Sequence, residues 1–263
     1  MEINYTNYLE LKNTGITRAQ IAEKFNMPDW KLKKLIATNR WGKIAPIIGN
    51  ETLFDEYDEY SCYWAGFLAA DGCVDSKNRI RVMLKYDDIT HLEKFRDILE
   101  STHTISSNTD KYNRCSLEFT NPYIREILEL NYNIIPNKTD KLQLPSIPLK
   151  YMRHYIRGYF DGDGSICESY SNKNSVTASL YATFCSGSLE FSKALFKYLQ
   201  EYLGLGGHYQ EFNTANKWQL KYNTNDAKIL LKYMYENSNV YLDRKYALYH
   251  RIVVCDIREE IKV

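Results

Sequence analysis

Two short stretches of this chain repeat one arrangement of small, apolar and acidic residues, and the repetition narrows what the chain can fold into. The first reads Trp64-Ala65-Gly66-Phe67-Leu68-Ala69-Ala70-Asp71-Gly72, the second Ile156-Arg157-Gly158-Tyr159-Phe160-Asp161-Gly162-Asp163-Gly164. Each places small residues four apart (Gly66 and Ala70, then Gly158 and Gly162) and ends in Asp-Gly. Residues four apart share one face of a helix, so each stretch predicts a helix with a flat stripe that a second helix can approach closely. Packed stripe to stripe, the two helices would bring Asp71 and Asp163 side by side at their C-terminal ends.

That position disfavours a carboxylate. A helix C-terminus carries partial negative charge, and two adjacent carboxylates resist joint ionisation. The glycines that follow, Gly72 and Gly164, are expected to act as left-handed stops. A divalent cation would relieve both electrostatic penalties, and oxygen-only ligands point to a hard ion such as Mg2+. The plain alternative for one Asp-Gly is a turn after a core helix. The same stripe occurring twice favours a two-fold site instead.

At these residues the chain resembles the LAGLIDADG homing endonucleases, in the form where one polypeptide carries both motifs. The second copy, YIRGYFDGDGSI from Tyr155 to Ile166, is close to the family wording, and the first, YWAGFLAADGCV from Tyr63 to Val74, is looser, with Ala69 where an acid is common. The resemblance extends to Ile134-Ile135-Pro136-Asn137-Lys138-Thr139, to Leu144-Pro145-Ser146-Ile147-Pro148, and to Tyr241-Leu242-Asp243-Arg244-Lys245. It implies an α+β fold of two pseudo-symmetric αββαββα repeats forming a DNA-binding saddle. It also implies Asp71 and Asp163 as catalytic metal ligands, with the carbonyls of Ala70 and Gly162 completing coordination. Lys138 and Lys245 would be a basic pair, one per repeat, that stabilises the transition state or orients water. The implied reaction is a Mg2+-dependent double-strand break with short 3′ overhangs at a long DNA target, Mn2+ or Ca2+ substituting for binding. The implied enzyme is a monomer acting as a pseudo-dimer on double-stranded DNA.

Charge alone would not suggest a nucleic-acid partner, because 34 Lys and Arg face 33 Asp and Glu. The distribution is uneven, however, and binding needs cations on one face rather than an overall excess. Lys12, Arg18, Lys24, Lys31, Lys33, Lys34, Arg40 and Lys43 crowd the first segment, and Glu51, Asp55, Glu56, Asp58 and Glu59 follow. This shift, with Pro46 and Gly49, predicts a boundary, giving a segment 1–45, a linker 46–58, a first repeat 59–148 and a second repeat 149–263.

Within the first segment, residues 16–25 read as a short helix with Thr17 as N-cap, Asn26 takes a left-handed turn, and residues 29–39 form a second helix with Leu32, Leu35 and Ile36 inward. The pair resembles a helix-turn-helix presenting Trp30, Lys31, Lys33, Lys34 and Thr38 to DNA. A capping subdomain without DNA contact is the plainer alternative.

Alternation predicts strands in both repeats. Ile80, Val82 and Leu84 share one face and Arg79, Arg81, Met83 and Lys85 the other; Leu117 and Phe119 alternate with Ser116 and Glu118. The second repeat answers with Leu180, Ala182 and Phe184, then with Trp218, Leu220 and Tyr222 against Gln219 and Lys221. Arg79, Arg81, Lys85, Gln219 and Lys221 are the expected duplex contacts, since Gln pairs with adenine edges and Arg or Lys with guanine or phosphate. The polar hairpin 169–175 is a further candidate.

Six cysteines without C-x-x-C spacing suggest neither zinc nor disulfides, and Cys62, Cys73, Cys167 and Cys185 read as reduced core residues. No apolar run spans a bilayer and no signal-peptide pattern begins the chain, so a cytoplasmic setting is expected. An intein origin is not expected, with no splicing-type Cys or Ser at the start and no His-Asn pair at the end. Three rival functions remain on sequence alone. They are a DNA-binding regulator that has lost cleavage, an intron maturase that binds RNA, and a glycosidase using the acid pair, which would leave the basic segment unexplained.

Overall fold

The computed structural model describes residues 3–39, 46–108, 113–170, 178–212 and 217–255. Arg40, Lys43 and positions 171–175 of the polar hairpin lie outside the described residues. The chain divides into two compact units, residues 1–47 and 48–263.

The first unit is a trio of short helices, α1 (Tyr5–Asn13), α2 (Arg18–Lys24) and α3 (Asp29–Thr38). Ile3, Tyr8, Ile21, Ala22 and Leu32 form its own small core. Thr17 caps α2 through a reciprocal bond pair with Gln20, and Asn26 turns the chain at φ 51°, both as the sequence predicts. Helix α1 is an addition to that reading. It starts from an Asn4–Asn7 capping box, a pairing less conspicuous in sequence than Ser or Thr with Glu. On α3, Trp30, Lys31, Lys33, Lys34 and Thr38 are exposed while Leu32 is buried. Arg18 donates both Nε and Nη2 to Asp29, tying α2 to the start of α3.

The second unit holds two repeats of the same order. The first runs α4 (Glu59–Asp71), β1 (Gly72–Val74), β2 (Arg79–Lys85), α5 (Ile89–Ile98), β3 (Ser106–Asn108), β4 (Arg114–Thr120) and α6 (Pro122–Tyr132). The second runs α7 (Leu149–Asp163), β5 (Gly164–Tyr170), β6 (Ala178–Ser186), α8 (Leu189–Leu203), β7 (His208–Phe212), β8 (Lys217–Asn223) and α9 (Thr224–Tyr235), with α10 (Asp243–Tyr249) appended. Each repeat builds one antiparallel sheet, ordered β1-β2-β4-β3 and β5-β6-β8-β7. Residues 48–58, a linker by composition, pack on this unit: Ile48 bridges to Ser101, and Leu53 and Phe54 enter its core.

Period-two patterning sets the sheet faces. Ile80, Val82, Leu84, Leu117 and Phe119 point into the core, as do Leu180, Ala182, Phe184, Leu220 and Tyr222. The same alternation corrects the cysteine expectation. Cys62 is buried and Cys185 half-buried, but Cys73 and Cys167 fall on the outward phase of β1 and β5 and are exposed.

The centre of this unit is the α4–α7 pair. A Cβ placed on Gly66 would lie 2.0 Å from the Tyr155 carbonyl oxygen, and one on Gly158 would lie 1.9 Å from that of Tyr63. The helices therefore touch backbone to backbone, as the small-residue stripes require. Arg157, fully buried on α7, fastens the pair by donating to Glu59 of α4 at 2.7 Å and to the carbonyls of Met234 and Val240. Among the described residues no helix is long and apolar enough to cross a membrane.

Candidate active site at the paired helix ends

Asp71 and Asp163 are the last residues of α4 and α7. A Cβ on Gly162 would sit 2.4 Å from the Ala70 Cβ and 3.4 Å from the Asp71 carboxyl carbon, so the close approach of the helices persists to the acids themselves. The expectation for the following glycines is overturned. Gly72 (φ −76°, ψ 141°) and Gly164 (φ −95°, ψ 167°) are extended, because each helix passes directly into a strand. Glycine is needed there for space instead. A Cβ would come within 2.5 Å of the Leu68 carbonyl oxygen at Gly72, and within 2.3 Å of the Phe160 ring at Gly164.

Lys138 and Lys245 meet the helix ends from beneath. Lys138 Nζ donates to the Gly72 carbonyl at 2.7 Å and, at 3.4 Å, to that of Ala70. Lys245 Nζ donates to the carbonyls of Phe160 (2.5 Å), Asp161 (2.9 Å) and Gly164 (2.6 Å). Both lysines are buried. They supply positive charge where the helix dipoles leave negative charge and where the acids add more. An ammonium has three protons, and all three of Lys245 are engaged by carbonyls. Its influence in this arrangement is therefore through charge, whereas Lys138 keeps a donor available.

Burial pushes both acids up. Asp71 rises to about 6, burial leading, with the negative charge of Asp163 adding and Lys245, Lys138 and Arg244 opposing. Asp163, more open to solvent, is also raised by its surroundings against the pull of Lys138, Lys245 and Lys217. Burial lowers Lys245 to about 8 and lowers Lys138 as well.

These shifts fix the sign of a stability effect. A carboxyl raised in the folded state favours the fold when protonated, so its contribution is fully present below the unfolded value near 4 and is lost as pH rises through 6. Without divalent cation, Asp71→Asn should therefore be more stable than the native chain at pH 7.5, by up to about 3 kcal/mol. The gap should close near pH 4, and a denaturant titration at the two pH values measures both. Equal stability at pH 7.5 would mean that the Asp71 carboxylate is not destabilised.

The donors suit a hard cation. Two carboxylates with raised proton affinity close the adjoining ends of α4 and α7 beside backbone carbonyls, and no cluster of three or more His, Cys, Asp or Glu side chains forms among the described residues. A cation here would be held by Asp71 and Asp163 with carbonyl oxygens of Ala70 and Gly162 in support, all of oxygen type.

The structure thus gathers Asp71, Asp163, Ala70, Gly162, Lys138 and Lys245 at one place. Of the other expected residues, Lys85 shares a cavity wall with Asp71. Arg79, Arg81 and Lys85 stand on the outward face of the first sheet, where Arg79 and Arg81 come within 3.8 and 3.9 Å of Glu118. Gln219 and Lys221 are on the outward phase of β8, Lys221 lying 3.8 Å over the Tyr181 ring. Lys31, Lys33 and Lys34 belong to the other unit.

Asp161 and Arg244 complete the surroundings without having been singled out in the sequence. The fully buried Asp161 accepts from Tyr63 Oη (2.7 Å), Tyr235 Oη (2.5 Å) and the Leu242 amide (2.8 Å), and so anchors the segment that carries Lys245. Its place in the second motif, opposite Ala69 in the first, is the signal available in the sequence. For Arg244 the signal is adjacency to Lys245.

No protein-family model and no curated protein matches the sequence. Solved structures do. The LAGLIDADG homing endonuclease I-GzeII in complex with its DNA target superposes with a TM-score of 0.56 at 13% identity, over 79% of this chain and 92% of that one. I-LtrWI bound to target DNA gives 0.53 at 11% identity, over 81% and 92%. I-SmaMI bound to uncleaved DNA target in the presence of calcium ions gives 0.52 at 13% identity, over 78% and 93%. Identities this low speak to architecture, and the architecture agrees in its two repeats, paired helices and paired sheets. The chain has the two-repeat saddle fold of the LAGLIDADG homing endonucleases.

Proposed function

We propose that this protein is a site-specific endonuclease that makes a divalent-metal-dependent double-strand break in DNA. The observation that carries the reading is the pair of acids, each closing a helix in backbone contact with its partner and each helix end neutralised by a buried lysine. The fold's likeness to homing endonucleases solved on DNA supports the same reading.

In the reaction, oxygen from water bonds to phosphorus, the P–O3′ bond breaks, and the 3′ oxygen leaves with a proton. A divalent ion such as Mg2+, when bound, activates the water and neutralises charge on the phosphate and the leaving oxygen. Asp71 and Asp163 would each anchor metal, one for each DNA strand. Lys245 lowers the energy of the increasingly anionic phosphate through its charge, and Lys138, with a donor to give, can also orient the water. The outward sheet faces follow the duplex, Arg79, Arg81 and Lys85 in one repeat and Gln219 and Lys221 in the other. Helix α3 adds Lys31, Lys33 and Lys34 against the DNA backbone or in a major groove.

Selection of cleaved sites from a randomised duplex library in Mg2+ tests the reading. The whole chain and a version starting at Ile48 should both recover one long site. The longer chain should bind it with a steeper salt dependence, by about 0.9 in log–log slope for each phosphate-bound lysine of α3. Duplex binding without cutting would turn the assignment toward a regulator, and binding to structured RNA alone toward a maturase. An unchanged slope would remove α3 from the DNA interface.

A further inference from the structure

Beside Asp71 lies a cavity of about 650 Å3, lined in part by Lys85, Asp87, Asp88, Arg114 and Arg244. Arg244 comes from the second repeat although the cavity belongs to the first. It directly precedes Lys245 on α10, and adjacent residues of a helix diverge by about 100°. Lys245 turns beneath the end of α7 in its own repeat. Arg244 turns the other way, and its Nε donates to both Asp88 oxygens at 3.2 Å. The Arg244 side chain is 57% exposed, so Asp88 orients the guanidinium at the cavity wall without enclosing it.

The two acids have different cationic company. Both feel Lys138 and Lys245, but Arg244 acts on Asp71, and Lys217, the first residue of β8, acts on Asp163. Repeat symmetry supplies no second copy of the arginine. The residue before Lys138 is Asn137, uncharged and held at φ 55°.

We propose that Arg244 binds the scissile phosphate of the strand cut at Asp71, so that the second repeat supplies part of the first half-site; this deepens, and rests on, the endonuclease reading above. A guanidinium presents five donors in a planar fork, and engaging Nε with a carboxylate leaves paired donors suited to two phosphate oxygens. The two half-sites are then chemically unequal, with an arginine fork serving one strand.

The test uses the full chain and the duplex recovered by cleavage selection, each 5′ end carrying a different dye, in single-turnover reactions with Mg2+. Arg244→Gln should slow one strand about tenfold or more and the other by less than about threefold, so that nicked duplex accumulates. Arg244→Lys should recover part of the lost rate. The Arg244→Gln chain should melt within a few degrees of the native one, because an exposed ion pair contributes little to stability. Equal slowing of both strands, or native rates on both, overturns the assignment of Arg244 while leaving the endonuclease reading in place. A native chain that cuts neither strand overturns the endonuclease reading and this proposal together.

Discussion

Asp71→Asn and Asp163→Asn are each expected to bind the target duplex about as tightly as the native chain and to lose double-strand cleavage by at least about a thousandfold. The substitution preserves shape, so the packing of Ala70 against Gly162 and the lysine contacts beneath the helix ends should persist. What changes is the donor set. A neutral amide neither balances a divalent ion nor offers two anionic oxygens, and Asp71 and Asp163 are the residues that close α4 and α7. In the proposed function binding rests on other surfaces, the outward phases of β2 and β8, and removing a negative charge near phosphate should not weaken it. Gel-shift titration beside plasmid cleavage separates the two properties. Native cutting of both strands by either variant would remove its acid from the chemistry.

Much of this arrangement was legible in the sequence because it rests on local periodicity. The stripe of Gly66 and Ala70, and that of Gly158 and Gly162, predicted the helix contact, and alternation assigned the inward faces of β2, β4, β6 and β8. The helix-turn of the first unit followed from the propensities of Thr17 and Asn26. Features that depend on which distant segments meet were not legible. Nothing local marks the Lys245 ammonium as enclosed by three carbonyls, Arg157 as fastened to Glu59, or Arg244 as crossing to Asp88. Conformational freedom does not account for the glycines after the acids, which Leu68 and Phe160 require for clearance.

The repeats are also less alike inside than their motifs suggest. Asp161 gathers Tyr63, Tyr235 and the Leu242 amide, and Tyr63 Oη additionally meets His91 Nε2 at 3.0 Å. At the matching position the first repeat has Ala69, and the hydroxyl of Tyr155, the counterpart of Tyr63, is buried without a hydrogen-bond partner. Asp161 therefore sits in a polar network drawn from both repeats, whereas the Ala69 position lacks one and leaves the Tyr155 hydroxyl orphaned.

Gly158→Ala should destabilise the protein by at least about 3 kcal/mol, a large effect for the addition of one methyl group. Ordinarily alanine stabilises a helix relative to glycine by about 1 kcal/mol. Here the new carbon would lie 1.9 Å from the Tyr63 carbonyl oxygen and 2.8 Å from the Phe67 amide nitrogen, both backbone atoms that no rotamer change can move. The helices would have to separate along the axis of the core, loosening Tyr63, Phe67, Tyr155 and Tyr159, all of them buried. Separation would also shift Asp71 relative to Asp163, so cleavage should fall even at temperatures where the variant remains folded. Gly206→Ala serves as the control. Its nearest neighbour would be Asp226 Oδ2 at 3.5 Å, ordinary contact, and its φ is not positive, so stability should change by less than about 1 kcal/mol. Urea midpoints for the two variants decide the matter. If Gly158→Ala unfolds at the native midpoint, α4 and α7 do not touch at the backbone, and the acids they carry have no reason to stand together.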